Sequence, residues 1–381
     1  MALPDADMAD LARRIGARVE HLLSPGGTWD RYGQVMDDAD GGLRGLRARP
    51  GPRLLQALRD RYGLGRFAEG VDLGGSSSLN LLVGDTDRRY VVRVHRSHVA
   101  PGRLGAIHRT RQVLLAGGVP CAPLVRTLRG APWISLQGRL VEVEAYVGYD
   151  AVMDSWERLE SGMALLAQTH NLLRHLEVGE EGRRPRFANH LEPADVTSSV
   201  RRGIERIRGW GPTPAERRLV GAAEELAELV AGAETGLVSR LPRQLVHGDF
   251  WDNNVLFRGG RAVLLADFDF MGERARIDDL ALTLHCARSD LSVVAGPARE
   301  LARLRRLVAS YDAGLDLPLS ATERAALPVA MARQSLSSIG GWVARLDDQA
   351  AARRHAASVA PEVAASLRIM TDLERWWDAF A

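Results

Sequence analysis

The chain has 381 residues, 46% of them hydrophobic, with 50 Lys+Arg against 48 Asp+Glu and a formal net charge of +2. That is long and apolar enough for two packed lobes, has no low-complexity tract that would argue for disorder, and carries too little charge to draw a nucleic-acid partner. All 50 basic residues are Arg, which excludes a lysine Schiff base, a lysine general base and a phosphate loop of the G-x-x-x-x-G-K-[ST] kind.

The first twenty residues mix Asp5, Asp7, Asp10 and several Arg with apolar residues. They have neither the apolar core of a signal peptide nor a membrane span, so the expected location is cytoplasmic, without a membrane partner. A helical extension over residues 1–66 is expected: Leu11, Ile15, Val19 and Leu22 share one helical face between Ala6 and Leu23, and Ser24-Pro25-Gly26-Gly27 breaks it. Residues 67–147 turn to short apolar runs. Leu79 to Val83 and Tyr90 to Val94 flank a polar turn and predict an antiparallel hairpin. A helix over Leu104 to Ala116 follows, then strands near Pro132 to Ser135 and Arg139 to Val147. From 148 to 381 the periodicity is helical, as in Trp156 to Leu176 and Pro214 to Ala231, except for an island of strands from Gln244 to Phe270. A small sheet with one crossing helix followed by a larger helical region is an α+β arrangement. Cys121 and Cys286 lack metal-ligand spacing and read as bystander thiols.

The chemistry lies in the island. His247-Gly248-Asp249 is followed by Asn254, a hairpin turning at Gly259-Gly260, and then Asp267-Phe268-Asp269. The hairpin brings Asp249 and Asn254, before it, towards Asp267, after it. Phosphoryl transfer needs one carboxylate to orient the attacking hydroxyl and accept its proton, and hard oxygen ligands to hold Mg²⁺ against the phosphates. Asp249 suits the first role, and Asn254 with Asp267 the second. Upstream, Gly74, Gly75, Ser76, Ser77 and Ser78 lie between two strand-like runs, where glycine allows close backbone approach and N–H and hydroxyl groups can meet phosphate oxygens.

The spacing H-G-D-x-x-x-x-N, then a hairpin, then D-F-D, resembles the catalytic loop and metal motif of the aminoglycoside phosphotransferase and choline kinase families. Arg276-Ile277-Asp278-Asp279-Leu280-Ala281 and Leu165 to His170 are similar to further stretches of those families. The resemblance implies a protein-kinase-like bilobal fold, with a small β-rich N-lobe and a larger helical C-lobe. It also implies a kinase that moves the γ-phosphoryl of ATP or GTP to a small-molecule hydroxyl acceptor with Mg²⁺. Asp249 would be the base, Asn254 and Asp267 the metal ligands, and His247 a support of the loop. Arg93 would replace the lysine that grips the nucleotide phosphates, and the run Arg139 to Tyr146 would read the base. His170, alone among apolar helical residues, reads as a satisfied core histidine.

Two features depart from the kinase pattern. H-G-D replaces H-R-D and no A-P-E element lies shortly after Asp267, which argues against a protein acceptor. No Asp or Glu occurs from Arg88 through Val141, so the carboxylate that normally pairs with the strand cation cannot come from the following helix. Arg93 is then held by the phosphates alone or by a residue such as Glu142 or Glu144, and the Arg-rich run reads as a solvated face. For the acceptor, Trp251 is a candidate to stack on a ring. Asp252, Asp269, Glu273, Asp278 and Asp279 are candidates to receive a cationic acceptor, as the resemblance to aminoglycoside and choline kinases implies, or equally to support the metal ligands or cap helices; the acceptor classes in view are an aminoglycoside or other antibiotic, with antibiotic resistance as the role, an amino sugar or a nucleoside. The alternatives are a nucleotide-binding pseudokinase and a primary-metabolism kinase of the homoserine, choline or methylthioribose type.

Overall fold

The computed structural model describes residue 48 and residues 50–64, 70–73, 78–84, 88–184, 190–291, 297–346 and 349–381. The expected helix from Ala6 to Leu23 and the loop residues Gly74, Gly75, Ser76 and Ser77 lie outside them. The described residues form two compact units. One holds those up to Gly105 with Cys121–Asp150 and Leu346–Ala351, the other Ala106–Pro120, Ala151–Arg345 and Ala352–Ala381.

The first unit is built on a six-stranded antiparallel sheet. Helix α1 (Pro52–Tyr62) precedes β1 (Val71–Asp72), β2 (Leu79–Gly84) and β3 (Arg89–Val94). After helix α2 (Pro101–Ala116), within which the division falls, come β4 (Leu124–Val125), β5 (Ile134–Leu136) and β6 (Arg139–Ala145). The order is β1-β2-β3-β6-β4, with β5 paired to β6. Side chains alternate across a strand, so Leu79, Leu81, Val83, Val92, Val94, Val141 and Val143 share one face and pack with Leu54, Leu58 and Tyr62 of α1. The Tyr62 hydroxyl donates to the Val141 carbonyl at 3.1 Å. Helix α1, read from sequence as part of an extension, thus closes the sheet's core.

The opposite face is polar. Asn80, Arg93 and Glu142 stand opposite one another in register across β2, β3 and β6. The Arg-rich stretch expected to be a solvated face is mixed: Arg88, Arg109, Arg126 and Arg129 are exposed, whereas Arg96, Arg103, Arg111 and Arg139 are buried. Guanidinium groups are weakly hydrated and carry a long apolar stem, which makes arginine the cation best suited to such positions.

The second unit begins with β7 (Ala151–Val152), then α3 (Trp156–Leu173), α4 (Glu180–Arg183), α5 (Val196–Gly209) and α6 (Pro214–Glu234). The strands β8 (Arg243–Val246), β9 (Val255–Arg258), β10 (Arg261–Leu265) and β11 (Gly272–Ala275) follow. Helices α7 (Ile277–Leu291), α8 (Pro297–Ala313), α9 (Ala321–Ser337), α10 (Gln349–Thr371) and α11 (Leu373–Phe380) complete it, with a π-helical turn at Ser338–Val343. The expected hairpin is β9–β10, and β7 adds to it as a third strand. β7 has two residues, too few for any periodicity. The island also extends beyond Phe270, because β11 pairs with β8 through Gly272-Glu273-Arg274-Ala275, which has no apolar alternation to announce a strand. Helix α9 is buried from Ala326 to Ser337 and forms the centre of the bundle. Its N-terminus carries a reciprocal cap between Ser320 and Glu323. At Gly203 of α5, an added Cβ would come within 2.3 Å of the Ile339 carbonyl of the π-helical turn. Among the described residues, no helix is long and apolar enough to cross a membrane.

Leu58 is fully buried at the junction of α1 and the sheet. Leu58→Ala is expected to cost about 2–5 kcal/mol of stability, read by chemical denaturation. A loss under about 0.5 kcal/mol would remove α1 from the core.

Candidate active site

Strand β8 delivers His247 into the bundle, and the chain must turn at once. Gly248 has φ +82°, and a Cβ there would meet the Phe270 carbonyl at 2.1 Å, so both conformation and space demand glycine. The turn is held by one carboxylate. Asp279, in the first turn of α7, accepts the backbone N–H of His247 at 2.9 Å with Oδ2 and that of Gly248 at 2.8 Å with Oδ1. Oδ2 also faces His170 Nε2 at 3.3 Å, and His170 Nδ1 accepts from the Tyr311 hydroxyl at 2.7 Å. Asp279 is 1% exposed. Burial pushes its carboxyl up, but the hydrogen bond from His170 and the positive charge of Arg274 outweigh this and hold it below the usual carboxylate range. His170 is the satisfied core histidine expected from the sequence.

His247 supports the loop from the other side. Its Nδ1 accepts the Asp249 N–H at 3.2 Å, so Nε2 carries the hydrogen and donates to the Ala266 carbonyl at 2.9 Å. Its ring lies between Phe250 and Phe268. Burial lowers its pKa more than the nearby Asp279 and Asp267 raise it, which keeps the imidazole neutral. The Phe250 carbonyl accepts from Thr283 of α7 at 2.6 Å.

Asp249 and Asn254 meet directly. Asn254 Nδ2 donates to the Asp249 carbonyl and to Asp249 Oδ2, both at 2.8 Å. This fixes the amide's orientation and leaves Oδ1, a hard oxygen, without a donor among the described residues. The carbonyl of Asn254 accepts from Ala266 N–H at 2.9 Å, which sets the residue before Asp267 against the loop. Asp267 has φ +60°, one of two non-glycine residues with positive φ among those described. A left-handed conformation is tolerated by Asp, and held strain of this kind concentrates at functional positions. Its Oδ1 accepts the Asp269 N–H at 3.3 Å. The oxygen donors of Asn254 and Asp267 fit a hard divalent cation.

The acidic residues nearby differ in their partners. Asp279 is committed to the loop. Asp278 is buried and paired with Arg333, whose Nη1 reaches Glu234 at 3.3 Å. Glu234 is itself pushed up to about 7, by burial first and then by Asp278 and Glu192, against the pull of Arg333. Asp252 is buried, and Glu273 faces Arg183 at 3.8 Å. Trp251 is half-buried, with its indole Nε1 enclosed and without a hydrogen-bond partner among the described residues. In the sheet unit, Ser78 is buried, and Glu142, opposite Arg93, contacts His95 Nε2 at 3.0 Å. Sequence reasoning missed that His95–Glu142 pair. Only the i, i+2 spacing of Arg93 and His95 hinted at a shared face.

The chain is similar to known phosphotransferases. A family model described as the phosphotransferase enzyme family matches residues 71–317. A homoserine kinase of Acidiphilium cryptum (strain JF-5) is 25% identical over 85% of this chain and 92% of its own length. Among solved structures, a microcompartment-associated aminopropanol kinase superposes with a TM-score of 0.64 at 18% identity, covering 84% of this chain and 97% of that one. The amicoumacin kinase hAmiN, in complex with AMP-PNP, Ca2+ and Ami, does so with a TM-score of 0.61 at 14% identity, covering 84% and 92%. With the family model spanning both the sheet and the catalytic loop, the chain belongs to the phosphotransferase enzyme family and is a small-molecule kinase of protein-kinase-like fold.

Proposed function

We propose that Asp249 is the base, that Asn254 and Asp267 bind Mg²⁺, and that the γ-phosphoryl of ATP or GTP passes to a hydroxyl group of a small acceptor. The observation that carries this reading is the double hydrogen bond from Asn254 to Asp249. It orients one carboxylate for the acceptor and turns the amide oxygen outward as a ligand. The acceptor hydroxyl gives its proton to Asp249 as its oxygen attacks the γ-phosphorus, and the bond to the β-phosphate oxygen breaks. Mg²⁺, when bound, neutralises charge on the phosphates. The buried Asp279 and neutral His247 keep Asp249 in place, so little reorganisation accompanies the reaction.

In the sheet unit, Arg93 supplies a guanidinium for the nucleotide phosphates. Gly74, Gly75, Ser76, Ser77 and Ser78 supply backbone and hydroxyl donors. The amicoumacin kinase, crystallised with an ATP analogue and Ca2+, supports a nucleoside triphosphate donor and a divalent ion. Trp251, Asp269 and Glu273 remain the candidate acceptor contacts. The homoserine kinase match across nearly the whole chain favours a primary-metabolism acceptor over a polycationic antibiotic, as does the internal commitment of Asp278 and Asp279.

Asp249→Asn is expected to lower turnover about 10²–10⁴-fold while Mg-nucleotide affinity stays within a few-fold. The check is Mg²⁺-dependent ADP or GDP release against a panel of hydroxylated metabolites and antibiotics, with wild-type turnover in the variant removing Asp249 from the mechanism. Asp267→Ala is expected to weaken Mg-nucleotide binding at least about tenfold by calorimetry. An unaltered affinity would defeat the metal assignment.

A further inference from the structure

The catalytic loop is tied to a helix that follows it in the chain. Asp279 Oδ2, which accepts the His247 N–H, also faces His170 Nε2. An ionised carboxylate can only accept, so Nε2 carries the hydrogen and Nδ1 is left as an acceptor that needs a donor. The Tyr311 hydroxyl of α8 supplies it at 2.7 Å, and among the described residues no second donor reaches Nδ1. Tyr311 is fully buried and His170 is 1% exposed, so bulk water does not stand in for the hydroxyl. Burial pushes the phenol pKa up, and the hydroxyl keeps its hydrogen at neutral pH.

Tyr311 is itself held in one place. Three residues on, an added Cβ at Gly314 would come within 2.8 Å of the Ala167 Cβ, so the end of α8 lies hard against α3. Asn171 of α3 donates to the Gly314 carbonyl at 2.9 Å and accepts the Asp316 N–H at 3.0 Å. Asp312, next to Tyr311, accepts the Leu319 N–H at 2.6 Å and Arg324 at 2.7 Å. Packing alone does not need the hydroxyl, since phenylalanine fills nearly the same space. The hydrogen bond made at one imidazole nitrogen fixes the tautomer and the tilt with which the other meets its partner. Here that partner is the carboxylate that holds the turn at Gly248.

We propose that Tyr311 is a positioning residue for phosphoryl transfer: it holds His170 so that Asp279, and with it the loop that presents Asp249, keeps one shape. The effect on turnover rests on the kinase reading of the site, whereas the effect on the loop is read without any acceptor.

Tyr311→Phe removes the hydroxyl and keeps the ring. Hydrogen exchange of the peptide carrying His247 and Gly248, followed by mass spectrometry on the full chain alone, is expected to be at least about tenfold faster in the variant, with α9 unchanged. For an acceptor of the panel that the wild type phosphorylates, kcat is expected to fall about tenfold while KM for Mg-nucleotide and acceptor stays within about twofold. His170→Ala is the control. Adding Tyr311→Phe to it is expected to change neither readout further, because the partner of the hydroxyl is already gone, whereas a packing role adds its own loss in either background. Wild-type exchange at the loop in the folded Tyr311→Phe variant overturns the proposal. Faster exchange throughout the bundle, or a variant that does not fold, makes the role of the hydroxyl generally structural and overturns it as well. Faster exchange confined to the loop supports it, and if the wild type phosphorylates no acceptor, it is the kinase reading that fails and not this tie.

Discussion

The carboxylate of Asp279 is the interaction on which the catalytic region depends. A backbone that leaves β8 and turns through the left-handed Gly248 exposes two N–H groups in a place no water reaches. Left unmet, they would cost about 1–3 kcal/mol each. One ionised carboxylate meets both, and His170 keeps it ionised by donating to the same oxygen. The loop then has a single shape, and Asp249, Phe250 and Asn254 inherit their positions from it. Thr283, one turn further along α7, fixes the Phe250 carbonyl, so a single helix sets both ends of the turn.

Deep in the helical unit, Arg276 and Arg333 are held by carboxylates. Arg333 of α9 reaches Asp278 of α7 and Glu234 of α6, and Arg276, before α7, reaches Glu323 of α9, so that these helices are tied by ion pairs as well as by apolar packing. Such pairs specify geometry more than they add stability, since desolvation offsets much of the attraction. Glu234 shows the balance near its limit, with a carboxyl pushed up to about 7. Its folded-state pKa lies above the unfolded value, so its contribution is fully present below the unfolded pKa and is lost as pH rises through about 7.

The fold class and the placing of Asn254 beside Asp249 were legible in the sequence because their signals are local. The spacing of Asp249, Asn254 and Asp267 around a Gly-Gly hairpin encodes its own geometry, and the β2–β3 hairpin has clean alternation on both sides of its turn. What escaped were contacts between residues far apart in the chain. Nothing local marks Asp279 as the ligand of two backbone N–H groups some thirty residues earlier. β11 carries Glu273 and Arg274 where a strand pattern would want apolar residues, because its pairing with β8 rests on backbone groups and on the Arg243 side chain, which donates to the Glu273 carbonyl. Composition also misled at the arginines after β3, since net charge cannot separate a solvated guanidinium from one buried along its stem.

If Asp279 acts through the loop, its loss and the loss of Asp249 are one defect. The most direct measurement is a double-mutant cycle on turnover with Asp249→Ala, Asp279→Ala and the combined variant, each confirmed as folded by its thermal transition. The expected result is that the double variant is no slower than Asp249→Ala alone, because a mispositioned base and an absent one cost the same step. Losses that multiply across the two sites would contradict it, and would make Asp279 an independent contributor to catalysis.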